Sequence, residues 1–302
     1  YVLGATLEEE EKFKEAGVAY DLFLKEFPGS GLRTEVRMRK AETILKDGKF
    51  EQAAQMFAEV AAVEGFSHAT HARLRQASCL VSLDQLDDAA TIYQSVFEAT
   101  PDADHKKTAV VQLNLLCRKY IDKKLYDKSL ALAEQMVSKA DTEDLKVRFK
   151  MAAADSFDGQ AKYEQARPRY LAIVKDHTTH VLAADALYFA AFAAFQLKQY
   201  DAVLEDSVEF KKQFAEHEFA KDVEKLVEES RVLKSVDLFK DEKFAESVEL
   251  LAAVVAANPE GKRAAESLLL LARSQARLEK YDEAKASIGK LISGFPESSL
   301  IP

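Results

Sequence analysis

Eight short segments of this chain share one pattern, an aromatic residue or leucine followed three residues later by a small or compact one. They are KFKEA (Phe13, Ala16), KFEQA (Phe50, Ala53), QLDDA (Leu86, Ala89), LYDKS (Tyr126, Ser129), KYEQA (Tyr163, Ala166), QYDAV (Tyr200, Val203), KFAES (Phe244, Ser247) and KYDEA (Tyr281, Ala284). Successive anchors stand 37, 36, 40, 37, 37, 44 and 37 positions apart, so the periodicity runs through all 302 residues. A repeat of this length is one supersecondary unit that cannot bury its apolar face alone and must stack on its neighbours.

The register inside each unit is sharper than the period. Nine residues before each anchor stands a small residue: Gly4, Ala41, Ala77, Cys117, Ala154, Ala191, Ser235 and Ala272. Helices approach closely only where side chains are small, so this position marks a packing contact. Four residues after the second small position most units carry a bulky apolar group, as in Tyr20, Phe57, Tyr93, Tyr170, Leu251 and Ile288. Eight further on, Pro28, Pro101, Pro259 and Pro296 close four of the units, and proline cannot continue a helix. With only 10 Gly and 6 Pro and no strand-like alternation, the chain favours helix nearly throughout. Second helices are expected to begin near each anchor.

In these residues the chain resembles the tetratricopeptide repeat. Leu3-Gly4-x-x-Leu7, Ala16-x-x-x-Tyr20 and Pro28 follow that family's register without a gap, and Ala77-x-x-Leu80, Ala89-x-x-x-Tyr93 and Pro101 nearly so. The departures are the absence of tryptophan, Val203 and Ser207 in the sixth unit, and steps longer than the usual 34. The resemblance implies an all-α fold, a right-handed superhelical solenoid of about eight antiparallel helix pairs. It forms a single array, with units near 1–29, 30–66, 67–103, 104–142, 143–179, 180–219, 220–260 and 261–297.

The added length sits between Pro28 and Ala41 and again between Pro259 and Ala272, and is expected to form one extra turn at the start of each first helix. Together with Phe27-Pro28-x-Ser30 and Phe295-Pro296-x-Ser298, it is similar to a bacterial subclass found in outer-membrane assembly lipoproteins and TolA-binding envelope proteins. A periplasmic or envelope location is what that subclass implies, with the cytoplasm as alternative. The 44-residue step from Tyr200 to Phe244 is expected to hold longer helices around a short turn near Glu216 to Phe219.

Phe189, Phe192 and Phe195 form a stripe broken only by alanine. Such a stripe serves as core, as the floor of a groove, or as a self-association surface, and core is the commonest outcome. The family lines its concave wall with residues 12, 8 and 5 before each anchor. For the sixth unit these are Tyr188, Phe192 and Phe195; for the fourth, Asn114, Arg118 and Ile121; for the seventh, Val232, Val236 and Phe239. The resemblance therefore makes Tyr188, Phe192, Phe195, Asn114, Arg118, Val232 and Phe239 the candidate partner-binding residues. Phe189 points toward the preceding unit and is expected to be buried.

A net charge of −9 argues against nucleic acid or anionic lipid as a general partner. The apolar run around Phe189 is well short of the roughly 20 residues that span a bilayer, so membrane insertion is not expected. Two cysteines, Cys79 and Cys117, make no disulfide framework, and inert buried thiols are expected. His68/His71 and His177/His180 are spaced by three but lack a third ligand. No Gly-rich phosphate loop, nucleophile elbow, His-Glu-x-x-His or Cys-x-x-Cys occurs. The expectation is a non-enzymatic protein-interaction scaffold without metal or cofactor, taking a protein or peptide partner and self-associating through its ends. The alternatives are a structural spacer or the regulatory repeat region of a larger enzyme, since a chain opening on Tyr1 reads as a piece of something longer.

Overall fold

The computed structural model describes residues 1–301, and among them every regular element is a helix. The first unit pairs α1 (Val2–Glu9) with α2 (Phe13–Glu26), and the second pairs α3 (Arg33–Lys46) with α4 (Phe50–Ala61). Next come α5 (Ala69–Ser82) with α6 (Leu86–Ala99), α7 (Ala103–Asp122) with α8 (Tyr126–Val137), and α9 (Glu143–Gly159) with α10 (Tyr163–Asp176). The chain ends with α11 (Ala183–Gln196) and α12 (Tyr200–Phe214), α13 (Ala220–Lys240) and α14 (Phe244–Ala257), and α15 (Ala264–Arg277) and α16 (Tyr281–Gly294). Each second helix starts at its anchor residue. The fold is an all-α helical repeat solenoid, and its helices cluster into two compact units, Tyr1–Ser156 and Phe157–Pro302.

The turn inside each helix pair is a repeated device. Two residues before every anchor the backbone adopts a left-handed conformation: Glu11, Gly48, Asp84, Lys124, Ala161, Lys198, Glu242 and Glu279 all have φ between 56° and 77°. The next residue closes a Schellman-type cap, its N–H bonding to the carbonyl five residues back. Lys49 donates to Ile44 (3.1 Å), Gln85 to Leu80 (2.9 Å) and Gln199 to Ala194 (2.9 Å). Only one unit places glycine there, so the other seven hold an L-residue where its Cβ is disfavoured by roughly 1–2 kcal/mol. Ala161→Gly should therefore stabilise the protein by about 0.5–1 kcal/mol, the strain relieved less the greater freedom of glycine in the unfolded chain. Urea unfolding should show a higher midpoint at unchanged slope; a lower midpoint would mean that the turn is unstrained.

The core follows the register. In the first seven units the small residue after the anchor is fully buried, and so is the small residue before each of the eight anchors. Gly4 is the tightest case, because a Cβ there would stand 2.4 Å from a ring carbon of Tyr20. Around these contacts Tyr20, Phe57, Tyr93 and Tyr170 are fully enclosed, each burial stabilising the fold by about 1.5–3 kcal/mol. The sixth unit, with Ser207 at that position, reaches the same end one turn later through Phe210, 2% exposed. In the seventh unit serine takes both small positions, and Ser247 donates to the Ser235 carbonyl (3.1 Å) beside the Ser274 hydroxyl (3.3 Å).

The junctions between pairs correct one expectation. The added residues do not extend the first helices, since α3 and α15 are 14 residues each. They form two consecutive turns instead. Ser30 N–H bonds to the Phe27 carbonyl (3.1 Å), Leu32 N–H to the Ser30 hydroxyl (3.2 Å) and Arg33 N–H to the Ser30 carbonyl (3.0 Å). Proline cannot donate a helical bond and keeps the residue before it out of the helical region, and Phe27 accordingly sits at φ −127°, ψ 62°. Ser298 repeats the arrangement with Leu300 (3.3 Å). His180 and His217 make it without serine or proline, their Nδ1 atoms accepting from the N–H groups of Leu182 (3.1 Å) and Phe219 (3.3 Å).

Candidate functional site

Helix α11 carries the stripe, and its packing divides the stripe in two. Ala190, Ala191, Ala193 and Ala194 are buried against neighbouring helices, which leaves the aromatic rings on the remaining faces. At the N-terminal end Tyr188 stacks on Phe219 (ring centroids 4.4 Å) and Phe189 stacks on Tyr170 (5.7 Å), while Phe189 also meets Tyr188 and Phe219 edge-on. Burial pushes the Tyr188 hydroxyl up from its ordinary pKa, with Asp222 adding to the effect. Phe189 does turn toward the preceding unit, but it is half-buried rather than enclosed.

Toward the C-terminal end of α11 the rings are braced but not covered. Phe192 leans edge-on against Tyr163 (6.4 Å, 80°) and Phe195 against Tyr200 (6.2 Å, 62°). In the next unit Phe239 leans on Phe244 (5.2 Å, 68°), whose ring also meets the Arg277 guanidinium at 5.0 Å. Phe192, Phe195 and Phe239 are all half-buried. Edge-to-face packing of this kind holds a ring by its rim or one face and leaves the rest available. Charges flank the ledge in pairs, Lys240 with Asp237 (3.1 Å) and Lys234 with Asp201. Burial and the nearby Asp237 raise the Tyr200 hydroxyl above its ordinary pKa.

The other candidates are placed differently. Val232 is 1% exposed and Asn114 8%, so both belong to the interior in this structure, which corrects their reading as open groove positions. The reason is the same for each: α13 and α7 are long helices, of 21 and 20 residues, whose flanks are packed by preceding and following helices. Arg118 is exposed on α7, and Val236 is half-buried. Two contributors went unread in the sequence. The anchors Tyr163, Tyr200 and Phe244 double as supports for the ledge, and Phe219, in a junction rather than a helix, covers Tyr188. The aromatic anchors were visible signals; the contact of Phe219 depends on how its turn folds back.

Cys79 and Cys117 are buried, and burial pushes their thiols up to about 11 and about 12, far from reactive thiolates. Among the described residues no three His, Cys, Asp or Glu side chains gather as a metal site. The Nδ1 of His180 is engaged by the backbone. Among the described residues no helix is long and apolar enough to cross a membrane.

Two tetratricopeptide-repeat family models match this chain, one over residues 45–113 and the other over 151–202 and 233–298, together more than half of it. No curated protein matches. Among solved structures, Naa15/Naa10 bound to HypK-THB is similar at a TM-score of 0.57 and 16% identity, over 98% of this chain and 42% of that one. A tetratricopeptide repeat protein from Parabacteroides merdae is similar at 0.43 and 11% identity, over 90% and 96%. The apo form of the quorum sensor NprR from B. thuringiensis stands at 0.39 and 14%, over 97% and 85%. Proteins of this kind are generally non-catalytic scaffolds that mediate protein–protein interaction. The left-handed turn before every anchor also recurs in the stretches those models leave unmatched, at Glu11 and Lys124, and with the paired helices and family matches it leads to one conclusion: the chain belongs to the tetratricopeptide-repeat family.

Proposed function

We propose that this protein is a non-enzymatic scaffold that holds a segment of a partner protein against the ledge of Phe192, Phe195 and Phe239. The observation that supports the reading is the bracing of these rings. Each meets an anchor aromatic edge-on and is only half-buried, so a partner gains apolar contact without having to order a flexible side chain. Rigid aromatic groups are the residues that most often dominate such interfaces. Tyr188, stacked on Phe219 and edge-on to Phe189, stands outside the ledge, and Arg118 serves a partner only as an exposed cation on α7.

Phe192→Ala and Phe195→Ala should each weaken partner binding by about 1–3 kcal/mol and hardly change the melting temperature. Phe189→Ala is the control, expected to lose stability whatever the ledge does, because it removes three ring contacts at once. A photo-crosslinking residue at the exposed Gln196 should capture a partner in cells, and Phe195→Ala should abolish the capture. If both ledge variants instead lose about 3–5 kcal/mol of stability, the rings are core and the reading fails.

A role in bacterial envelope assembly is the finer form of this reading. It is supported by the two aromatic-Pro-x-Ser junctions at Phe27 and Phe295, both folded into the same double turn. Cell fractionation of the native protein tests it, and recovery in the cytoplasm alone would overturn it.

A further inference from the structure

The long step between the sixth and seventh anchors leaves two paired helices of unequal reach. Helix α13 has 21 residues and α14 only 14. The two pack antiparallel around residues 241–243, and Asn258, just past the end of α14, donates to Glu228 (3.4 Å). Residues 220–227 of α13 therefore run on past the end of α14 by about 10 Å, at 1.5 Å per residue. The second half of α12 flanks this overhang on one side. The space that two further turns of α14 would fill is an open cleft of about 720 Å³, within the roughly 300–1,000 Å³ usual for binding clefts.

The lining has two parts. Its apolar part is Val208, Phe210, Val223, Val227 and Val254, and Val208 stands 69% exposed in mid-helix. Its charged part is Lys211, Lys221, Lys225 and Arg231 against Glu224 and Glu228, a local excess of cations on a chain of net charge −9. Lys225 pairs with Asp222 (2.9 Å) and Glu228 accepts from Asn258. Among the described residues no carboxylate lies within ion-pairing distance of Lys211, Lys221 or Arg231.

We propose that this cleft docks an acidic amphipathic helix of a partner protein, lying in line with α14 where its missing turns would be. The apolar side of such a helix covers Val208 and Val227 as a longer α14 would. Its carboxylates meet Lys211, Lys221 and Arg231, which have no partner of their own. Helix-in-groove docking needs an apolar trough with a complementary rim, and both are present. The cleft shares no residue with the aromatic ledge, so the proposal is independent of the function proposed above.

The test uses a stapled, fluorescein-labelled peptide helix with leucines at i, i+4 and i+7 and glutamates elsewhere, against a twin in which lysines replace the glutamates. Anisotropy titration of the whole chain should show saturable binding of the acidic peptide only, weakening as salt rises. Val208→Asp and Lys211→Glu/Lys221→Glu should each weaken it by about tenfold or more, while Phe195→Ala leaves it unchanged. These positions are exposed, and unaltered melting curves would confirm that the variants fold. No saturable binding, equal binding of both peptides, or indifference to the two cleft variants would overturn the proposal. A dimer in sedimentation that Val208→Asp converts to monomer would also overturn it, in favour of a second copy as the occupant.

Discussion

Phe210→Ala should lower the stability of the protein by about 3–5 kcal/mol, through lost transfer free energy and the cavity left behind. The sixth unit lacks the bulky residue that Tyr20, Phe57, Tyr93 and Tyr170 provide elsewhere, and Phe210 alone fills the gap. Its ring lies edge-on to Phe214 (5.7 Å) and His217 (6.1 Å) and packs in one cluster with Ala184, Leu187 and Val223. Because it also floors the cleft beside α14, the walls can collapse inward, which favours the lower part of that range. Urea unfolding at fixed pH is the measurement. A loss under about 1 kcal/mol, the scale of a surface change, would mean that Phe210 is not the substitute core residue.

Arg167→Met should cost about 3 kcal/mol at neutral pH, because it leaves a buried carboxylate without its cation. Arg167 Nη1 donates to Asp206 Oδ2 (2.7 Å) and to the Ala190 carbonyl (3.2 Å), and the two side chains are only 15% and 11% exposed. Burial holds the Asp206 carboxyl above the usual carboxylate range, against the opposing pull of Arg167. A carboxyl with a raised folded pKa binds its proton more tightly in the folded state. Its contribution is thus most favourable below the unfolded value, about 3.9, and is lost as pH rises through the folded one. Removing Arg167 takes away the downward pull, so the gap between variant and parent should be widest near pH 7 and narrow as pH falls toward about 4. Arg167→Met/Asp206→Asn should recover much of the loss, since no charge then remains to be desolvated. A gap independent of pH would show that the arginine stabilises through packing instead.

The periodic positions were readable because their physics is local. A small residue nine before each anchor, a bulky one seven after it and a proline where helix must stop are demands that any stacked helix pair makes on its own sequence. All eight second helices begin where those demands place them. The cap between helices was not legible, since of Glu11, Asp84, Lys124, Ala161, Lys198, Glu242 and Glu279 only Asp84 is of a type that favours a positive φ. Stacking imposes the left-handed turn there, overriding the preference of L-residues. The junctions differ from the expected extra helical turn for a reason the sequence does carry: Pro28, Gly29, Ser30 and Gly31 favour turns over helix, and a double turn uses the added length.

At the candidate site the sequence by itself determined which residues lie on the first helices, and hence that Phe192, Phe195 and Phe239 occupy equivalent edges. Only the tertiary structure decided which of the named residues stay open. Val232 and Asn114 obey the same spacing as the half-buried Tyr188 but are buried, because exposure depends on the reach of neighbouring helices and not on the period of one. The cleft beside α14 is the clearest instance. The 44-residue step announced long helices, but whether α14 would cover α13 turned on where the chain breaks at Asn258 and on the bond that ties it to Glu228. Helix periodicity is fixed by the backbone at 3.6 residues per turn, and sequence carries it. Coverage is a relation between helices distant along the chain, and it exists only once they have packed.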